Sequence, residues 1–361
     1  MNALYRWLGP VAAMSFLSLG CGPQGAGASG SSSAAASATG SSVKAATAAV
    51  SSAPTATTAA TTTASAASAP AGPVTLASGQ KDVAGLALAG TSLFWVDRGA
   101  GVVMSVPVAG GTPTVLAKDL KEPVSLATND TTVYVGTWGD TPTTKAQLLS
   151  IPRAGGAATV VAEAEFPIGS VAIVADEVVF TSAGLVSAVK GADKRSLVNV
   201  APNAALVARA DGGVFVGAWP ISMQVTSPTG TLSLVGLDGS QKKVASALPG
   251  PNAVVADASG VYWLNGGVES EQYEGSIMAL QSGSDAPTKL AALGPWSGGS
   301  HALAVDDQRV YWATERSIVA AAKSGGAPAT VVEDARQVRH LVKTTGAIYW
   351  ATGDTIKALA L

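Results

Sequence analysis

The residues able to do chemistry are few and scattered. The chain has two histidines, His301 and His340, and one cysteine, Cys21. His301 and His340, with Glu315 and Asp97 in nearby loops, are the side chains from which a divalent-cation site would be assembled. No two of them stand at a short spacing diagnostic of metal ligation, so no metal or other cofactor is expected. There is no Gly-x-Ser-x-Gly elbow and no phosphate-cradling glycine loop, and Cys21 sits at the N-terminus, away from any partner base. Catalysis is not the first expectation.

A second set of side chains suits binding better. Trp138, Trp219, Met223, Tyr273 and Trp296 are large apolar groups in segments with little else to bury. Aromatic groups on a rim mark recognition surfaces. Each one singly is explained as a lid over its own loop, while the five together point to a ligand-binding surface for a protein, peptide or glycan. Trp95, Trp263, Trp312 and Trp350 recur at regular intervals instead, which is what packing between repeated sheets requires. Asp211, Asp257 and Asp306 recur at turns after short strands, where turn capping accounts for them.

The elements that position these groups form a repeat of about 35 to 50 residues. It is clearest in Ala302–Asp306, Val310–Ala313, Ser317–Ala320 and Ala329–Val332, four short β-branched runs with a Gly325–Gly326 turn before the last. The second-strand signature returns as Phe94-Trp95, Val133-Tyr134, Val179-Phe180, Val214-Phe215, Tyr262-Trp263, Tyr311-Trp312 and Tyr349-Trp350, about seven units. The last unit ends at Leu361 without a fourth strand. Val74–Ala77, ahead of the first unit, matches the fourth strand Thr114–Ala117 and has no unit of its own. Pairing the two ends closes a ring and removes both open edges. The fold class expected is therefore all-β: a seven-bladed β-propeller of four-stranded blades, closed by the N-terminal strand.

Strand direction sends the second-to-third-strand connections and the blade-to-blade connections to one face. The long insertions fall there, at Gly136–Ala146, Gly217–Gly230, Asn265–Gly275 and Leu293–Ser300, and they carry the five apolar residues named above.

Residues 1–21 read as a secretory signal, with Arg6 ahead of the apolar stretch Trp7–Leu19, too short to span a bilayer. Leu17-Ser18-Leu19-Gly20-Cys21 resembles a bacterial lipobox, departing from it at Ser18, and implies acylation of Cys21. Gly22 stands where an Asp would resemble an inner-membrane retention signal, which implies the outer membrane or cell surface. Residues 22–72 are almost entirely Ala, Ser, Thr and Gly with scattered Pro, one charge, Lys44, and no aromatic residue, a disordered tether with a root-mean-square span on the order of 40 Å. Residues 73–361 form the propeller. A net charge of −2 and 13% charged residues offer no basic surface for nucleic acid, so contact with a membrane is expected through the lipid alone and a monomer is expected.

Leu93-Phe94-Trp95-Val96-Asp97 followed by Val102–Pro107 and a Gly-Gly turn resembles the YWTD propellers, and Tyr311-Trp312-Ala313-Thr314 and Tyr349-Trp350-Ala351-Thr352 echo it. The signature is shared more loosely with NHL and TolB-like propellers, and what it implies is the fold. Most repeats lack the Asp, so its interblade contacts are not assumed. Ser300–Val305 with Val310–Glu315 is similar to a repeat of the streptogramin lyases, metal-dependent propeller enzymes. That resemblance implies an alternative lyase or lactonase function using His301, His340 and Glu315. A purely structural envelope protein is the third reading.

Overall fold

The computed structural model describes residues 72–139, 144–208, 211–220, 228–266, 274–294 and 302–361. They form seven four-stranded antiparallel sheets. Blades 1 to 6 occupy residues 83–117, 123–164, 168–199, 203–248, 251–294 and 303–332, and blade 7 combines residues 340–360 with Val74–Ser78. The chain is a seven-bladed β-propeller. Each blade is a simple meander, and the first strands of successive blades touch in a closed cycle that returns from blade 7 to blade 1.

The closing strand lies where the unpaired ends of the repeat require it. Val74–Ser78 runs antiparallel to Thr355–Ala360, with Val74 opposite Ala358 and Ser78 opposite Thr355. Ala77 is buried in the core between blades 7 and 1, so closure adds apolar contact as well as a ladder.

The core is divided into seven clusters, one at each junction between neighbouring blades. Alternation along the second strand explains this, because successive side chains point to opposite sheet faces. Phe94 packs towards blade 2 while Trp95 packs towards blade 7. Tyr262 and Trp263, Tyr311 and Trp312, and Tyr349 and Trp350 divide in the same way between the following and the preceding blade. In blades 2 and 4 the signature is displaced by one residue. Tyr134 and Phe215 take the position of Phe94, and Val135 and Val216 take that of Trp95. The Gly-Gly turns between third and fourth strands have the left-handed backbone that a bulky residue avoids, with φ of 90° and 128° at Gly325 and Gly326.

Candidate functional site

One face of the ring carries the long connections. Second and third strands are joined by residues 138–145 in blade 2, 220–229 in blade 4 and 266–274 in blade 5, against 183–184 in blade 3 and 352–354 in blade 7. Blade 5 ends at Gly294 and blade 6 begins at Leu303 on the same face. On the other face, first and second strands are joined by turns as short as 90–91, 175–176 and 258–259. Six of the seven described non-glycine residues with positive φ also lie at the insertion-bearing end: Asp119, Glu122, Ala183, Ala247, Asp334 and Gln337. Backbone held in this sparsely populated region collects at functional surfaces.

A recurrent lock shapes the rim on this face. The residue after the second strand donates its backbone N–H to the carbonyl of the residue just ahead of the first strand: Arg98 to Asp82, Trp138 to Glu122 and Gly266 to Gly250, each at 2.8 Å. Equivalent rim positions are therefore occupied by a cation, an indole and a glycine.

Around blades 7, 1 and 2 the rim is charged and internally satisfied. Arg339 Nη1 reaches Asp82 Oδ1 at 2.6 Å, Arg98 Nε reaches Asp82 Oδ2 at 2.9 Å, and Arg98 also faces Glu122 at 3.7 Å. Below this chain Asp97 is buried and accepts the backbone N–H groups of Lys81, Asp82 and Ala100 at 2.8, 3.0 and 3.1 Å. Asp97 thus pins the connector from blade 7 into blade 1, and both its oxygens are engaged, which removes it from the set considered for a metal. Trp95 donates its indole N–H to Gln80 Oε1 in the same connector, at 3.0 Å.

At the facing ends of blades 4 and 5 the described strand termini Asn203, Trp219, Pro251 and Asn265 are uncharged, while the connection after Asn265 carries Glu269, Glu271 and Glu274 in sequence. Trp219 is the last residue of its strand, half-buried, and lies directly opposite Asn203. Alternation places Asn203 with Ala205 and Val207, and Trp219 with Phe215 and Gly217, on the face of blade 4 turned to blade 5. Gly217 eases the close approach there: a Cβ would stand a tight 3.0 Å from Val254 Cγ2 and 3.1 Å from the Pro251 carbonyl. From blade 5, Trp263 packs towards blade 4, and Asn265, two residues on, shares its face. Asn265 donates its amide to Ser276 Oγ at 3.1 Å. The Oδ1 atoms of Asn203 and Asn265 and the Nε1 of Trp263 are buried with no hydrogen-bond partner. Burying such groups unpaired costs about 1–3 kcal/mol each.

The remaining expected site residues separate. Trp138 is half-buried on the insertion-bearing face of blade 2. His340 opens the first strand of blade 7 opposite Ala351, and Glu315 is exposed in the turn after the second strand of blade 6. Met223, Tyr273, Trp296, His301 and Cys21 lie outside the described residues. Among the described residues no group of three or more His, Cys, Asp and Glu is arranged to hold a metal ion. A surface cavity of about 290 Å³ opens elsewhere, near the outer edge of blades 6 and 7, lined by Glu333, Asp334, Arg336, Trp350, Asp354 and Lys357. Its lining mixes both signs of charge, with Arg336 3.9 Å from Asp334, and none of the residues singled out for binding borders it.

Sequence reasoning missed Asn203 and Asn265. A signal for Asn265 exists, since it stands two residues after Trp263 as Asp97 stands after Trp95.

The opposite face holds ion pairs that tie blades together. Lys323 of blade 6 reaches Asp257 of blade 5, bonds Ser259 Oγ at 3.0 Å and lies over the Tyr262 ring. Lys343 of blade 7 reaches Asp306 of blade 6 at 3.3 Å and lies over the Tyr311 ring. Asp257 and Asp306 cap their own turns through Ser259, Gln308 and Arg309, as turn aspartates do. Burial opposes ionisation of Asp306, but bonds from the Tyr311 hydroxyl, the Gln308 and Arg309 amides and Lys343 hold its carboxyl down at about 2.

The chain is similar in structure to other propellers. A catalytically inactive variant of virginiamycin B lyase from Staphylococcus aureus, with quinupristin, superposes with a TM-score of 0.61 at 10% identity, covering 80% of this chain and 98% of that one. The WD40 β-propeller domain of Doa1 gives 0.56 at 13% identity, covering 80% and 95%. The computationally designed Ika8 protein gives 0.52 at 14% identity, covering 80% and 98%. No protein-family model matches the chain, and no curated protein matches its sequence. At these identities the likeness concerns the fold.

Proposed function

We propose that the protein is a secreted binding or scaffolding module of the cell envelope, anchored through an acylated Cys21 and a tether over residues 22–72 to the outer membrane or cell surface. Recognition of a protein, peptide or glycan is assigned to the insertion-bearing face. The observation that carries this reading is the gathering of the long connections, the strained backbone and the half-buried Trp138 and Trp219 on one face of a ring whose other face has short turns and paired charges. Rigid strands with variable loops at one end are the usual way a repeat scaffold presents a binding surface.

The test uses the full chain. Immobilised wild type is expected to retain a component of the organism's purified envelope fractions, and Trp138→Ala, Trp219→Ala and Trp296→Ala to weaken that retention while leaving the melting temperature nearly unchanged. Retention equal in all four proteins, or absent from all, removes the reading. Cys21→Ala is expected to move the protein from the membrane to the soluble fraction, and an unchanged distribution removes the anchor.

A further inference from the structure

We infer that the insertion-bearing end of the junction between blades 4 and 5 is a subsite for a neutral, polyhydroxylated ligand, a carbohydrate unit, held by Asn203, Asn265, Trp263 and Trp219. This deepens the binding reading above and rests on it. Four observations converge on the place. Asn203 is 7% exposed, Asn265 2% and Trp263 0%, and each has a buried polar atom without a partner in the protein. Strand alternation turns all three towards the same junction, and Asn203 and Asn265 stand at the same end of it. Trp219 lies beside Asn203 on that face, half-buried, with the rest of its ring left for contact. Gly217 keeps the two blades in close approach beneath them.

The donor and acceptor balance selects the ligand. Two carboxamide oxygens need two donors, and the indole N–H needs an acceptor, while the Asn265 amide is already given to Ser276. Hydroxyl groups on adjacent carbons supply donors and acceptors at close spacing, and the C–H face of a sugar ring suits an indole platform. Anionic ligands are disfavoured, because none of these four residues is a cation and the connection after Asn265 carries Glu269, Glu271 and Glu274. A peptide presents one N–H per residue and matches two neighbouring acceptors less well. The counterpart junction shows that the fold does not require such groups to stay unpaired: Trp95 has Gln80 for its indole N–H, and Asp97 has three backbone donors.

Calorimetric titration of the full chain with maltotriose, cellotriose and chitotriose, and with triglycine as the peptide probe, tests the assignment. At least one trisaccharide is expected to bind, with affinity falling by about tenfold or more in Asn203→Leu and in Trp219→Ala. Asn203→Leu removes an unpaired acceptor, so its melting temperature is expected to be unchanged or higher, which a purely structural asparagine would not show together with lost binding. Should Asn203→Leu fail to fold, the partly exposed Trp219→Ala decides. Absence of trisaccharide binding, binding indifferent to both variants, or binding of triglycine alone overturns the assignment. Envelope-fraction retention that still depends on Trp138 would in that case leave the binding reading standing, whereas loss of all retention would remove it too.

Discussion

At the junction of blades 7 and 1, the buried indole of Trp95 gives its N–H to Gln80, Asp97 collects three backbone amides, and Arg339, Asp82, Arg98 and Glu122 form a chain of charges above them. At the junction of blades 4 and 5, the equally buried indole of Trp263 has no partner, the oxygens of Asn203 and Asn265 have none, and the strand ends that carry them are uncharged. The two junctions share a strand plan and an apolar core. They differ in what closes the insertion-bearing end. The first adjoins blade 7, where the two ends of the chain are held together only by the ladder between Val74–Ser78 and Thr355–Ala360, and the ring opens most readily there. Its polar groups are accordingly spent on one another. The second joins consecutive blades through the two residues between Leu248 and Pro251, needs no such fastening, and is free to offer its polar groups to something else.

The largest effect that would break this comparison concerns the closing strand. A chain starting at residue 73 is expected to melt like the full protein, whereas one starting at residue 79 loses the four register pairs with Thr355–Ala360 and the buried Ala77. The cost is on the order of 5 kcal/mol at about 1 kcal/mol per ladder bond plus the lost apolar contact, or about 10–20 °C. Equal melting of the two chains would deny the closing strand its role.

The next effect sharpens the contrast directly. Trp95→Phe and Trp263→Phe each shrink a fully buried side chain, but only the first abandons a hydrogen-bond partner, the Gln80 side chain. Denaturant unfolding is expected to show Trp95→Phe more destabilising by about 1 kcal/mol. The reverse order would mean that Trp263 is partnered after all. Asp97→Ala should behave like Trp95→Phe and cost about 1 kcal/mol, since part-buried backbone donors lose their acceptor. Asn265→Ala gives up one amide bond and one unpaired oxygen, and should cost less.

How much of this was legible in the sequence follows from the same residues. The Tyr-Trp and Phe-Trp pairs disclosed the repeat because alternation forces one aromatic to each side of a sheet, and the unmatched Val74–Ala77 disclosed the closure because an open edge needs a partner. The displaced signature in blades 2 and 4 was hidden, since Val133-Tyr134 and Val214-Phe215 look like Phe94-Trp95 until the packing shows which side each residue takes. Trp95 and Trp263 are likewise indistinguishable by pattern. Only the placement of Gln80 beside one of them separates a satisfied indole from an unsatisfied one. Lys323 and Lys343 read as ordinary surface cations, yet neither side chain is more than 9% exposed, because each reaches back to an aspartate of the preceding blade. The position of Trp138 and Trp219 at the insertion-bearing end was legible because strand direction alone assigns the faces.

The smallest expected effect concerns those paired aspartates on the opposite face. The Asp306 carboxyl lies below its ordinary value of 3.8, at about 2, so it contributes stability that is full above about pH 4 and is lost as pH falls towards 2. Asp306→Asn is expected to flatten the acid limb of the melting curve in that window and to leave ligand retention unchanged. An acid limb identical to wild type would show that the pair adds nothing.

The most direct test of unpaired polar groups awaiting a ligand between blades 4 and 5 is the indole N–H spectrum of the isotopically labelled full chain, with Trp95 and Trp263 assigned through their Phe variants, recorded as a binding trisaccharide is added. The Trp263 resonance is expected to move progressively to saturation as its N–H gains a partner, while that of Trp95, already bonded to Gln80, holds its position. A Trp263 resonance unmoved at saturation, or moving no more than Trp95, would contradict the account.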